Sequence, residues 1–163
     1  RQRQMCIRDS NMFDSLPNVF KSSALIDRIH GFIEGWEIPR MNEGLKVNGW
    51  ALNSEYFTTI LHLLREDTSY RAIVDKIVTY PSDADTRHTE AVKRIATAYL
   101  KLLFPNVRTV KDINPKEFER YCLRPARLMR RIILKQLAII DREYAGKDLP
   151  KYTIEIPSEN EED

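Results

Sequence analysis

Apolar residues recur at helical spacing over most of the chain, and the pattern divides it into segments. Ser54 precedes a run with Tyr56, Phe57, Ile60, Leu61 and Leu64 on one face. Thr68 or Ser69 can cap a second helix with Tyr70, Ile73, Val74, Ile77 and Val78 inward, ending before Pro81. A third opens at Asp83 to Thr86 and carries Ala91, Val92, Ile95, Ala96, Tyr99, Leu102 and Leu103, with Pro105 as its stop. Asn114-Pro115 starts the longest helix, since proline is favourable in a first turn. It is expected to run to about Ala145 with a kink at Pro125, on a stripe of Phe118, Tyr121, Leu128, Met129, Ile132, Ile133, Gln136 and Ile140.

The flanks read differently. Asn11 to Val19 is a loop around Pro17, and Ser22-Ser23 can cap a short helix through His30. Phe32 to Ile38 predicts a short strand or extended segment, exposed or poorly ordered for want of sheet neighbours. Met41 to Leu52 reads as an ordered loop anchored by Leu45, Val47, Trp50 and Leu52. Lys151 to Ile156 alternates Tyr152, Ile154 and Ile156, a strand pattern, and Ser158 to Asp163 is an acidic linker or tail. The expected fold is mainly α: a helical bundle with a strand-containing segment at its N-terminal end.

Composition narrows the class without naming a function. At 163 residues with 42% hydrophobic and 31% charged residues, the chain suits one soluble domain or a piece of a larger one. A net charge of +2 leaves any nucleic-acid argument to local clustering. Cys6 and Cys122 form neither a metal pattern nor a disulfide framework, which fits a reducing cytoplasm. No apolar run approaches the roughly 20 residues that span a bilayer, so no membrane partner is expected. The three histidines lack metal-ligand spacing, and no metal site is expected. Residues 1–10 are basic, aperiodic and without a start methionine; they read as translated sequencing adapter at the broken end of a gene, and are set aside as non-native.

Three groups of residues carry candidate chemistry. Asp27-Arg28 lies between apolar neighbours that would hold the arginine in a defined direction, and a planar guanidinium suits a carboxylate or a phosphate. Taken alone, the dipeptide is more often an ordinary surface pair. Arg87 stands at a helix start, where the helix dipole disfavours a cation and so hints at an anionic partner. Arg120, Arg124, Arg127, Arg131 and Lys135 form one stripe that can track nucleic-acid phosphates, although a solvated or acid-paired face is the more ordinary explanation. Trp36 and Trp50 read as core anchors rather than base-stacking platforms.

Taken in order, these motifs resemble the C-terminal part of an AAA+ ATPase module. The apolar-Asp-Arg turn ahead of Phe32 and Ile33 looks like the segment that places an arginine finger. Asp85-Thr-Arg-His-Thr-Glu-Ala-Val-Lys93 resembles a sensor 2 helix start, and the helices from Ser54 onward resemble the small lid domain. Closer wording is similar to the BrxL family, the Lon-like AAA+ ATPases of BREX phage-defence systems. It lies in Asp27-Arg28-Ile29-His30-Gly31-Phe32-Ile33, in Gly35-Trp36-Glu37-Ile38-Pro39, in Leu100 to Pro105, and in Arg130-Arg131 with Gln136-Leu137. The likeness covers about Asn11 to Ala145. At Glu34 the chain departs from the family pattern, which carries proline there; the departure touches the expected strand and not the arginine.

The resemblance implies 11–52 as the end of an AAA+ α/β subdomain, 53–145 as the helical lid, and 146–163 as linker or tail. It implies Arg28 as an arginine finger acting on a neighbouring subunit's nucleotide and Arg87 as sensor 2. It further implies ATP and Mg as cofactors of the full-length protein, a homo-oligomeric ring, and duplex DNA as a partner touched by the α-helical arginine stripe. No Gly-x-x-x-x-Gly-Lys-Ser/Thr loop and no strand ending in paired acids occurs in the sequence. The chain as it stands is therefore expected to bind no cofactor and hydrolyse no ATP alone. The alternative is a stand-alone helical DNA-binding or adaptor module; a helix-turn-helix over Ser54 to Val78 is disfavoured by its acidic Glu55, Glu66, Asp67 and Asp75.

Overall fold

A computed structural model describes residues 11–14 and 16–157, so the adapter-like decapeptide and the acidic end at 158–163 lie outside the described residues. Helix α1 is Ser23–Ile26, α2 Ser54–Arg65, α3 Ser69–Ile77, α4 Thr86–Leu103, α5 Pro115–Phe118 and α6 Arg124–Ile140. Strands β1 (Val78–Thr79) and β2 (Thr153–Ile154) pair antiparallel, with Val78 opposite Ile154 and Thr79 opposite Thr153. The mainly helical expectation holds.

Local chemistry sets the helix starts. Asn53, Asp85 and Asn114 cap α2, α4 and α5, each side-chain oxygen accepting from two backbone N–H groups that would otherwise lack partners. Proline at position 115 follows its cap where no N–H is needed. Helices α5 and α6 are joined by a π-helical turn, Glu119–Leu123, so the long helix anticipated from Pro115 exists but its phase changes midway. The expected kink residue, Pro125, sits in the first turn after that wide turn. The helix ends at Ile140, not near Ala145, and a single 3₁₀ turn follows at Arg142–Tyr144.

The main core lies between α3, α4 and the α5–α6 rod. Tyr70, Ile73, Val74, Ile77 and Val78 are all buried, as the period predicts, against Val92, Ala96, Leu100, Phe118, Cys122, Leu123 and Ala126. Tyr152 closes the far side, beside β2. A smaller cluster joins Phe13 and Ile26 to Ile133 and Leu137 on α6, and it fastens the N-terminal segment to the bundle.

Two expectations need correction, and one expected helix leaves its apolar face uncovered. Phe32 to Ile38 forms no strand; it carries a 3₁₀ turn at Gly35–Glu37, because no neighbouring strand among the described residues offers it a ladder. Helix α2 forms but buries none of its residues: Tyr56 is 63% and Phe57 44% exposed. Only Leu64 meets the core, and Lys101 Nζ fixes that end by donating to the Leu64 carbonyl at 2.7 Å. Trp50 is fully exposed at 103%, whereas Trp36 is half-buried with its ring 6.2 Å from Phe32, so only the second of these two indoles approaches an anchoring role.

Candidate functional site

Asp27 is the meeting point of the candidate residues. It terminates the single turn of α1, where its N–H bonds the Ser23 carbonyl. Its carboxylate is almost completely buried and accepts from two arginines of different helices. Arg130, from α6, donates through Nη2 to Oδ1 at 2.5 Å, and Arg87, from the first turn of α4, donates through Nη1 to Oδ2 at 2.7 Å. Burial pushes the carboxyl up, but the hydrogen bonds and charges of Arg87 and Arg130 outweigh it and hold Asp27 below the usual carboxylate range.

Arg130 is the larger surprise, a guanidinium with no solvent exposure. A buried charge must be paired and its donors satisfied. Arg130 meets this with Asp27 Oδ1, with the Asp27 and Ile29 carbonyls at 2.9 and 2.6 Å from Nη1, and with His88 Nδ1 at 2.9 Å from Nε. His88 accepts that bond only when neutral; burial and the Arg130 charge both keep its pKa below the ordinary histidine value. Residue 130 stands between Met129 and Arg131, outside the expected apolar stripe, and its charge hides it as a core residue. The signal that could have found it is the Asp27 in the apolar turn, which needs a cation once buried.

The two arginines predicted as functional stand differently. Arg28 is exposed, and its Nη1 folds back to the Ala24 carbonyl of its own turn. Arg87 is 54% exposed at its side chain while one donor holds Asp27. Asp27 thus joins both: Arg28 follows it in sequence and Arg87 is bonded to it.

The basic stripe is divided. Arg127 is engaged by Glu119 and lies 3.5 Å from the Tyr152 carbonyl, and Arg131 lies 3.4 Å from Asp148. Arg120 lies over the Tyr121 ring, with Arg124 and Lys135 exposed. Elsewhere, Arg71, Asp75, Glu90, Lys93 and Arg94 form an ion-pair network between α3 and α4. Cys122 is buried, its thiol pushed up to about 12 by burial, and is no nucleophile. No metal-holding cluster occurs among the described residues, and no helix there is long and apolar enough to cross a membrane. A cleft of about 420 Å³ opens between His30, Arg94, Ile95, Tyr99, Leu102 and Met129, and its lining is largely apolar.

The family model for the Lon-like protease BrxL-like ATPase domain matches residues 1–149, a span that takes in the adapter-like decapeptide. This chain belongs to the BrxL ATPase-domain family. The Lon-like protease BrxL of Bacillus cereus (strain H3081.97) is 30% identical over 118 residues, 72% of this chain and 17% of the relative. The Lon-like protease BrxL of Escherichia coli O9:H4 (strain HS) is 29% identical over 131 residues, 80% of this chain and 18% of the relative. The chain therefore spans less than a fifth of the BrxL proteins it matches.

Proposed function

We propose that this chain is the end of an AAA+ nucleotide-binding domain together with its helical lid, from a BrxL-type ring ATPase of BREX defence that acts on DNA. The observation carrying the reading is the junction at Asp27. One buried carboxylate ties the turn that presents Arg28 to the start of the helix that presents Arg87, so two arginines of different range are fixed to one point.

In this reading the roles follow from exposure. Arg28 has its guanidinium outside the fold and acts on a nucleotide held by an adjoining subunit, where it offsets charge developing on the transferred phosphoryl group. Arg87, with its side chain 54% exposed, turns toward the triphosphate of its own subunit. Both suit an anion: each is an exposed cation beside a helix turn. Bound ATP and Mg would supply the reactive phosphate and its charge neutralisation. The phosphate loop and the magnesium carboxylates are not in this sequence, so turnover belongs to the full-length protein.

The test is Arg28→Ala in a full-length BrxL. ATP turnover should fall on the order of 10³-fold, with nucleotide binding and ring assembly retained. Undiminished turnover removes the arginine-finger role. Duplex DNA is placed on the exposed part of the stripe, Arg120, Arg124 and Lys135, because Arg127 and Arg131 already face carboxylates. Charge reversal of Arg124 and Lys135 in the same protein should lower DNA affinity and reduce the salt slope by about 2; an unaltered slope puts DNA elsewhere.

A further inference from the structure

The Asp27–Arg87 bond has a property that its neighbour, Asp27–Arg130, lacks. Arg130 is fully enclosed and has three other acceptors in the Asp27 and Ile29 carbonyls and His88, so its place does not depend on one partner. Arg87 is half in solvent, and Asp27 is the one acceptor that its guanidinium reaches among the described residues. Its backbone N–H, in turn, is fixed by the Asp85 cap at 2.8 Å, so the side chain can swing without the helix start moving. The bond is a contact between a half-exposed cation and a buried anion.

We propose that Asp27 is a positioning residue that parks Arg87, so that a nucleotide triphosphate bound in the same subunit must take the guanidinium away from this carboxylate. The proposal rests on the sensor 2 reading of Arg87. While Nη1 is held at Asp27 the guanidinium is aimed at that carboxylate, so the contact lowers the fraction of subunits in which Arg87 is turned toward phosphate. That fraction multiplies the apparent affinity directly. Because Arg28 follows Asp27 in the chain, removing Arg87 also changes the charge balance beside the residue that faces the next subunit.

The sign of the effect separates this role from a structural one. In a full-length BrxL, binding of a non-hydrolysable ATP analogue is measured for Asp27→Asn, Arg87→Gln and the double variant. Asp27→Asn should bind about 3- to 10-fold more tightly, as expected when a charged hydrogen bond competing for Arg87 is weakened. Arg87→Gln should bind more weakly, and the double variant should match Arg87→Gln, because Asp27 has nothing left to hold. A merely structural Asp27 predicts weaker binding in the single variant. If Arg87→Gln leaves affinity unchanged, the sensor reading itself falls. If Arg87→Gln weakens binding while Asp27→Asn fails to tighten it, only the parking role is overturned.

Asp27→Asn keeps three of the acceptors around Arg130, but a second measurement avoids the variant altogether. Amide hydrogen exchange at residues 27–30 is followed with and without the analogue in an Arg28→Ala background, which removes contact with the neighbouring nucleotide. Faster exchange on analogue binding is the expected result, since the turn loses the Arg87 tie. Unchanged exchange with the analogue bound overturns the proposal.

Discussion

A Cβ built on Gly31 would lie 2.9 Å from Met129 Cβ and 3.1 Å from Ile95 Cδ1, so the backbone here touches α4 and α6 directly. Met129 Cβ cannot give way without moving its helix. Gly31→Ala should therefore cost about 1–3 kcal/mol, the usual range for overpacking. Gly35→Ala, whose Cβ would meet nothing within 4 Å, should be close to neutral; urea unfolding of the two variants checks the contrast. Arg130 offers a harsher case at the same scale. Arg130→Met leaves the buried Asp27 carboxylate with Arg87 alone, and removal of one partner from a buried pair costs roughly 3–5 kcal/mol. Adding Asp27→Asn should recover part of that loss, and the cycle of unfolding free energies measures how much.

At the scale of elements, the π turn explains why the longest stripe was only half legible. Residues 118, 133 and 136 are buried as their spacing implies. Tyr121 and Leu128, however, are 43% and 49% exposed, while Cys122, Ala126, Arg130 and Leu137 lie inside. The wide turn holds one residue more than an α turn, which rotates everything after it by about 100°. An α period carried through from Phe118 then misses core positions such as Cys122, Ala126 and Arg130 while still meeting Ile133 and Gln136. Helix α3 has no such insertion, and its inward positions were read correctly. The exposed apolar face of α2 has another origin: amphipathic spacing states that a face can be covered, not that any described residue covers it. At the other end, Tyr152 seals the core from the position just before a strand two residues long. Tyr152→Ala should cost about 3–5 kcal/mol, as for other large aromatic truncations, and a chain stopped after Lys147 should be destabilised at least as much in the same denaturant titration.

For the whole molecule, the titratable groups at the junction predict the direction of acid sensitivity. His88 and His30 both have pKa values lowered from 6.5, by burial first and then by nearby arginines. Each therefore contributes stability that is fully present above 6.5 and is lost as pH falls through its lower folded value. Asp27, Asp75 and Glu90 are also held low, so a second decline follows below the carboxylate range. Denaturation midpoints should thus fall steadily from about pH 6.5 downward. His88→Gln, which can still accept from Arg130, should flatten the upper part of that decline. Very little of this was visible in the linear sequence, where His88 and Asp27 stand 61 places apart. The resemblance named the two exposed arginines, but the carboxylate joining them is a product of tertiary packing.

The Asp27–Arg130 pair closes a loop of 103 residues. Bringing such distant positions together carries an entropic penalty on the order of 4 kcal/mol, and the contact can form only once α6 already exists. The same small cluster of Phe13, Ile26, Ile133 and Leu137 is what recovers that penalty. The N-terminal segment should consequently be the last part to dock during folding and the first to detach during native-state fluctuations, opening as a unit while the α3–α4–α6 core stays closed. Arg28, proposed above to act on an adjoining subunit, would then ride on a piece of the chain that opens before the main core does.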